Sequence, residues 1–502
     1  MKKIKYIILI FVLGFIGCES KLELKPTSSL TYNGFWDSEE AVNAAHSGLY
    51  AAFRGYNQTF WQMGELRSDM WGGKTFESPS NEWIIEQTID EQNVPWNNWA
   101  NFYSLIHKLN DFIANAPNVD FVDNSRKQHM LGEAYGLRAY IYFTMLKSWG
   151  GVPITTEPQT ELSLDELAKA RDSEAAVMEQ VKKDLHASLD VFSTDDSYLD
   201  NRRIFWSKSA TQVLKGEVFI WSGTHMGGGN SDYTTAKTAL ESITNAELLD
   251  NYADVFKFSN KDNKEFIFAL NYEIDEASNF YSLITARTTE IIGKYDQNKD
   301  SVITYLESTN AASRYGINEK ILLALNDPQD TRRDVTLIMM YSEVPADPIY
   351  VADDPTYLTS MLNKFMGTLD GGSRKYVSDV PLYRYADALL MLAEAKNLLG
   401  EDPSGEINEI IERAYGDDYD EADHKYVNGT QAANIQKILD ERLLEFIGEG
   451  KRWWDLRRAG DSYVLNNNDY LTTGDEYKLV LPISLSMIGR NPLLEQTIGY
   501  GE

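Results

Sequence analysis

A mainly α chain with long irregular inserts and a small amount of β structure is predicted by three observations. Ten segments repeat apolar residues at helical spacing, several of those segments interleave alanine with large side chains, and glycine- and asparagine-rich stretches separate them. The first helix is expected to begin at Ser38, whose hydroxyl can cap a first turn carrying Glu39 and Glu40, and to run to Phe53. Further helices are expected at about 97–116, 125–148, 172–191, 207–223, 234–248, 318–326, 384–399, 405–414 and 431–447. Thr224-His-Met-Gly-Gly-Gly-Asn230 reads as the stop and loop after the helix expected at 207–223.

Small residues on helix faces set how closely helices can approach. Ala134, Leu137, Ala139 and Phe143 illustrate the pattern, as do Ala210, Leu214, Val218 and Trp221, and Ala386, Leu389, Leu390 and Ala393. Such faces suit helix pairs of tetratricopeptide type, although no clean period is visible. Inserts are expected at about 54–96, 249–317 and 341–381, where Phe266-Ile-Phe-Ala-Leu-Asn-Tyr272 is the one strand-like run noted. Connections of that length usually carry function.

Composition narrows the function. A formal charge of −29 over 502 residues opposes nucleic acid, which is bound by clustered Lys and Arg. A neutral ligand is the default, with a local basic pocket left open. The high content of aromatic residues, 29 Tyr and 11 Trp among them, favours surfaces where flat apolar rings meet polar partners. The only cysteine, Cys18, excludes an internal disulfide, and the six histidines lack metal-ligand spacing. No nucleophile elbow or phosphate loop appears, and among 76 acidic residues nothing singles out a glycosidase carboxylate pair.

Cys18 has a different use. Met1-Lys-Lys-Ile-Lys5 is a basic leader, Tyr6 to Ile16 is apolar but short for a membrane span, and Phe15-Ile16-Gly17-Cys18 resembles a lipobox. Residues 1–17 are expected to be a removed lipoprotein signal, with Cys18 the lipidated first residue of a leash over 18–31 and a folded region over 32–502.

Near the C-terminus, Ile438-Leu-Asp-Glu-Arg-Leu-Leu-Glu-Phe-Ile-Gly-Glu-Gly-Lys-Arg-Trp-Trp-Asp-Leu-Arg458 concentrates opposite charges beside two indoles. It reads as a half-buried cluster of ion pairs and ring stacking, with Arg442 and Arg452 as planar donors. That segment resembles the SusD/RagB family of surface lipoproteins. So do Leu22-Glu-Leu-Lys-Pro26, Gly34-Phe-Trp-Asp-Ser-Glu-Glu-Ala-Val42, Trp99-Ala-Asn-Phe-Tyr-Ser-Leu-Ile106, Gly132-Glu-Ala-Tyr-Gly-Leu-Arg138 with Trp149-Gly-Gly-Val-Pro153, Val380-Pro-Leu-Tyr-Arg-Tyr-Ala-Asp387, and Leu481-Pro-Ile483 with Asn491-Pro492. The resemblance implies a SusD-like helical scaffold of four tetratricopeptide-like helix pairs, tethered by lipid to the outer membrane and facing the cell surface. It further implies a non-catalytic glycan receptor that passes oligosaccharide or polysaccharide to a SusC-like TonB-dependent transporter. A peptide-binding surface lipoprotein of RagB type is the alternative, and a glycoside hydrolase a more distant one.

A sugar offers apolar CH faces and ring hydroxyls, so its receptor needs aromatic shelves edged by amides, carboxylates or guanidinium groups. Within inserts at about 54–98 and 272–317, Trp71, Phe76 and Trp83 are the first stacking candidates, with Asp69 as a hydroxyl partner. Trp96 and Asn98 resemble the position from which relatives supply an aromatic and an amide. Tyr281, Tyr295 and Arg287 are candidates from the second insert. Core packing competes for every tryptophan, and is assigned to Trp99, Trp149, Trp206, Trp221, Trp453 and Trp454. Arg67 reads as a scaffold residue. Finally, Asp296, Asn298, Asp300 and Glu307 match the ligand spacing of a calcium loop, with Ser301 standing where glycine normally makes the turn.

Overall fold

The computed structural model describes residues 35–159, 168–310 and 313–501; Cys18 and the expected signal and leash lie outside the described residues. The chain is mainly α. Its principal helices are α1 (Glu39–Arg54), α2 (Asn57–Glu65), α3 (Ala100–Asn115), α4 (Asn124–Trp149), α5 (Glu174–Phe192), α6 (Lys208–His225), α7 (Gly229–Glu241), α8 (Tyr385–Leu398), α9 (Ser404–Tyr415), α10 (Gln431–Phe446) and α11 (Arg452–Ala459). Ser38, Ser173, Ser207 and Thr430 cap α1, α5, α6 and α10 by accepting a backbone N–H three residues on. None of the described helices is long and apolar enough to cross a membrane.

Helices pack in pairs, α4 with α5, α6 with α7, and α8 with α9 and α10. Glycines as well as alanines permit it. A Cβ on Gly136 of α4 would fall 2.1 Å from the Trp206 indole nitrogen, and one on Gly216 of α6 would meet the Leu240 side chain of α7 at 2.6 Å. The helix expected over 234–248 instead covers Gly229–Glu241, because the preceding loop is spent by Gly228 and Ser242 already closes the last turn.

The β structure is fuller than the sequence reading foresaw. Strands β1 (Phe266–Leu270), β2 (Leu337–Tyr341), β3 (Tyr357–Leu362), β4 (Thr368–Asp370), β5 (Ser373–Lys375) and β6 (Val380–Arg384) form three antiparallel pairs, β1 with β6, β2 with β3, and β4 with β5. The 341–381 stretch is therefore largely hairpin. Pairing of Phe266 with Arg384 brings Glu265 to the Arg384 side chain.

At that point a buried charge network begins. Arg384 donates to Glu265 at 2.7 Å, Glu445 at 2.5 Å and Glu449 at 2.8 Å, and its guanidinium lies 4.4 Å from the Phe446 ring. Arg413 binds both Glu265 and Glu445, while Arg332 joins Asp330 to Glu441. Burial pushes Glu445 up, but Arg413, Arg384 and Arg332 outweigh it and hold its carboxyl at about 2. Arg442 reaches Asp387 at 2.7 Å, Arg458 reaches Glu394 at 2.7 Å, and Arg67 stacks over Trp453 at 4.4 Å. The C-terminal charge cluster is thus scaffold, as are Trp99, Trp149, Trp206, Trp221, Trp453 and Trp454, all buried.

Candidate functional site

The two long inserts meet along a backbone seam. Gly72 and Gly73 both donate to the Gly316 carbonyl at 3.1 Å, Trp71 bridges Ile317, and Ser80 donates to the Arg314 carbonyl at 3.0 Å. Glycine is required at 73, where a Cβ would sit 1.8 Å from the Ile317 carbonyl oxygen. This seam explains why Trp71 is not available.

Trp71 is 1% exposed, wedged edge-on between Trp61 at 5.5 Å and Tyr315 at 5.9 Å. It is a core residue, because the seam folds its strand inward. Asp69 is likewise buried and clasped by Arg452. Tyr281 is buried between Phe280 and Phe365, with its hydroxyl donating to the Gly448 carbonyl at 2.6 Å. Tyr295 is half-buried and exchanges backbone hydrogen bonds with Tyr341 of β2, away from the seam. These four positions serve the scaffold.

What remains exposed is narrower. Trp83, on a short turn at Glu82–Ile85, is 36% exposed, and Tyr470, 45% exposed, stands beside the same turn with its hydroxyl facing Gly72. Phe76 is half-buried, fixed by its N–H to the Ser313 hydroxyl at 3.3 Å. Arg287 is exposed and pairs with Glu77, which also faces Arg314 at 4.0 Å. Asn81 donates to the Tyr315 hydroxyl at 2.7 Å, and Gln62 accepts from the Trp96 indole at 3.2 Å. One bond thus ties the first insert to the second, and the other ties Trp96 to α2.

Trp96 itself is half-buried with φ of +52°, a left-handed backbone uncommon for so bulky a residue. Asn81 and Gln87 share that conformation. Strain of this kind persists where the surroundings impose it, and it often gathers at binding sites. Beside Trp96 a shallow pocket of about 170 Å³ is edged by Tyr56, Thr59, Asn97, Asn98 and Asn101. Asn98 Oδ1 accepts the Ala100 N–H at 3.0 Å and so starts α3, leaving its NH2 for a ligand. Among the described residues no carboxylate lines this pocket. An aromatic face, two hydroxyls and three amides can stack on and hydrogen-bond an uncharged polyol.

Gln62, Tyr56, Asn101, Tyr315 and Tyr470 were not singled out from sequence. Gln62 lies on α2, a nine-residue helix inside a stretch read as irregular, so the side chain that orients Trp96 had no helical context to mark it.

The calcium reading is corrected. Asp296 Oδ1 accepts the N–H groups of Asn298 and Asp300, each at 2.9 Å, closing the turn on itself. Asn298 Oδ1 accepts from Arg333 at 2.9 Å, which places a guanidinium where a cation would need an oxygen cage. Among the described residues no group of three or more His, Cys, Asp or Glu side chains is arranged to hold a metal. Asp296, Asn298, Asp300 and Glu307 do not fit a calcium ion.

Comparison with known proteins agrees with this architecture. A sequence model described as "SusD family" matches residues 222–500, and one described as "Starch-binding associating with outer membrane" matches residues 21–213. The chain belongs to the SusD family. Over 551 aligned residues it is 27% identical to "SusD-like protein P38" of Formosa agariphila, covering 100% of both chains. It is 33% identical to "Starch-binding protein SusD" of Bacteroides thetaiotaomicron over 133 residues, which cover 24% of this chain and 22% of that one. Among solved structures, "B. fragilis NanU" superposes with a TM-score of 0.84 at 35% identity, covering 95% of this chain and 100% of that one.

Proposed function

We propose that this protein is a non-catalytic cell-surface receptor that captures oligosaccharide or polysaccharide on the Trp96 pocket and on exposed Trp83 of the same insert. The observation that carries the reading is the half-exposed indole of Trp96, fixed in a strained backbone and surrounded by the amides of Asn97, Asn98 and Asn101. Trp83, Phe76 and Arg287 extend the shelf along the insert seam. Family membership supports it, because one matching family is described as starch-binding and associated with the outer membrane. In this reading lipidated Cys18 tethers the chain to the outer membrane and the glycan passes to a SusC-like TonB-dependent transporter.

Electrophoresis through gels cast with individual polysaccharides tests the reading. Retardation by at least one polysaccharide, without release of reducing ends, supports it. Retardation by none, together with tight binding of a peptide library, would instead favour a RagB-type peptide receptor.

A further inference from the structure

Next to the Trp96 pocket, and sharing Asn98 with it, lies a larger groove of about 580 Å³ between α3, the 153–159 segment and the C-terminal stretch. Its walls are largely apolar, with Trp99, Tyr103, Pro153, Met487 and Leu494 contributing. The polar tips are more telling. Asn110 is consumed by the carbonyls of Thr155 and Glu157 and by Arg138, and Asn491 by the Lys169 carbonyl and the Leu493 N–H. Tyr103 donates to the Pro153 carbonyl at 2.5 Å. His107 lies 3.4 Å from Asp111.

Lys169 and Arg490 differ. Both line the groove, both are exposed, and neither side chain has a hydrogen bond or ion pair among the described residues. Among the described residues Glu157 is the one carboxylate lining it. On a chain of net charge −29, Lys169 and Arg490 place two uncommitted cations on the walls of one apolar groove. Long-range repulsion by the rest of the surface is screened beyond roughly 10 Å at ordinary ionic strength, so such a groove can still recognise an anion at contact.

We infer that this groove is a second subsite, which takes a carboxylate- or sulfate-bearing sugar unit of the captured chain, with Lys169 and Arg490 recognising the anion. The inference rests on the glycan reading, since the groove continues from the Trp96 pocket through Asn98. Arg490 can fork onto two oxygens of one acidic group while Lys169 supplies a point charge, and the apolar walls receive the ring.

The test uses two pairs of polysaccharides that differ in charge on a common backbone: polygalacturonate against its methyl-esterified form, and a sulfated galactan against its desulfated form. The full chain and its Lys169→Ala/Arg490→Ala variant are compared by affinity electrophoresis, with melting curves as a fold control. The expected result is that the wild type prefers the acidic member of at least one pair, more weakly as salt rises. Which pair shows the preference separates carboxylate from sulfate. The double variant should bind that member roughly ten-fold more weakly, at an unchanged melting temperature. Equal retention within both pairs, retention of none of the four, or a preference that survives in the double variant would overturn the subsite. Trp96→Ala separates the two readings: if it leaves all retention intact the Trp96 site is wrong, whereas loss of charge preference in the double variant speaks only to the groove.

Discussion

Asp69 and Arg452 lie 383 positions apart and meet through two parallel hydrogen bonds, Nε to Oδ1 and Nη2 to Oδ2, both 2.9 Å long. Arg452 also donates to the Leu439 carbonyl at 3.0 Å, so one guanidinium ties the first insert to α10 and α11. Burial raises the Asp69 carboxyl, and Arg452 more than reverses it. Removing Arg452 leaves the buried Asp69 carboxylate with only the looser contact to Lys320 at 3.8 Å, and breaking such a buried pair costs about 3–5 kcal/mol. Arg452→Ala should therefore lose stability on that order in chemical denaturation; a loss below about 1 kcal/mol, the scale of an exposed pair, would contradict the assignment.

Glu65 carries a pH dependence of its own. It is buried, takes the Gly450 N–H at 2.7 Å on one oxygen, and is pushed up to about 8, chiefly by burial. A group whose folded pKa is raised stabilises fully below its unfolded value and loses that contribution as pH rises through the folded one. Stability should thus fall between about pH 4.5 and 8 through this residue. Glu65→Gln keeps an acceptor for Gly450 and cannot ionise, so its melting temperature should fall less over that window than the wild type's. An identical slope in both proteins would refute the contribution.

Gly136→Ala tests helix packing directly. The added methyl would lie 2.1 Å from the Trp206 indole nitrogen, whose N–H is already held by Thr211 at 2.8 Å, so the indole cannot simply turn away. Overpacking of this kind costs typically about 1–3 kcal/mol. Differential scanning calorimetry should show the loss, whereas an unchanged transition would mean that α4 and Trp206 are less closely packed.

Metal removal should be silent. Because Arg333 holds Asn298 and the turn satisfies Asp296 internally, chelator should leave the melting temperature unchanged and native mass spectrometry should show no stoichiometric calcium. A specific one-ion adduct would reopen the site.

How far the sequence foretold this molecule depended on the distance over which each signal acts. Helical periods and caps are local, so α1, with its Ser38 cap, and α4 through α6 were legible, as was the role of Arg442 and Arg452 in a packed charge cluster. The positions of aromatic residues in the inserts were not. Trp71 and Trp83 sit in similar company of glycine, serine and charge, yet a backbone seam to Gly316 and Ile317, made across more than two hundred residues, buries the first and leaves the second at the surface. Asp296 through Glu307 matched a ligand spacing, but Arg333, remote in sequence, decides what that loop can hold. Strands β2 to β6 were not legible: β2 to β5 pair with one another around a stretch whose glycines and prolines read as loop, and β6 finds its partner β1 more than a hundred residues away.

The decisive comparison sets Trp96→Ala and Trp83→Ala, combined, against Trp71→Ala, scored for both polysaccharide retention and thermal stability. The account predicts that the double variant loses retention with little change in melting, while Trp71→Ala is destabilised by about 3–5 kcal/mol. Retention that survives loss of both exposed indoles, or a Trp71→Ala protein that melts like the wild type, would contradict it.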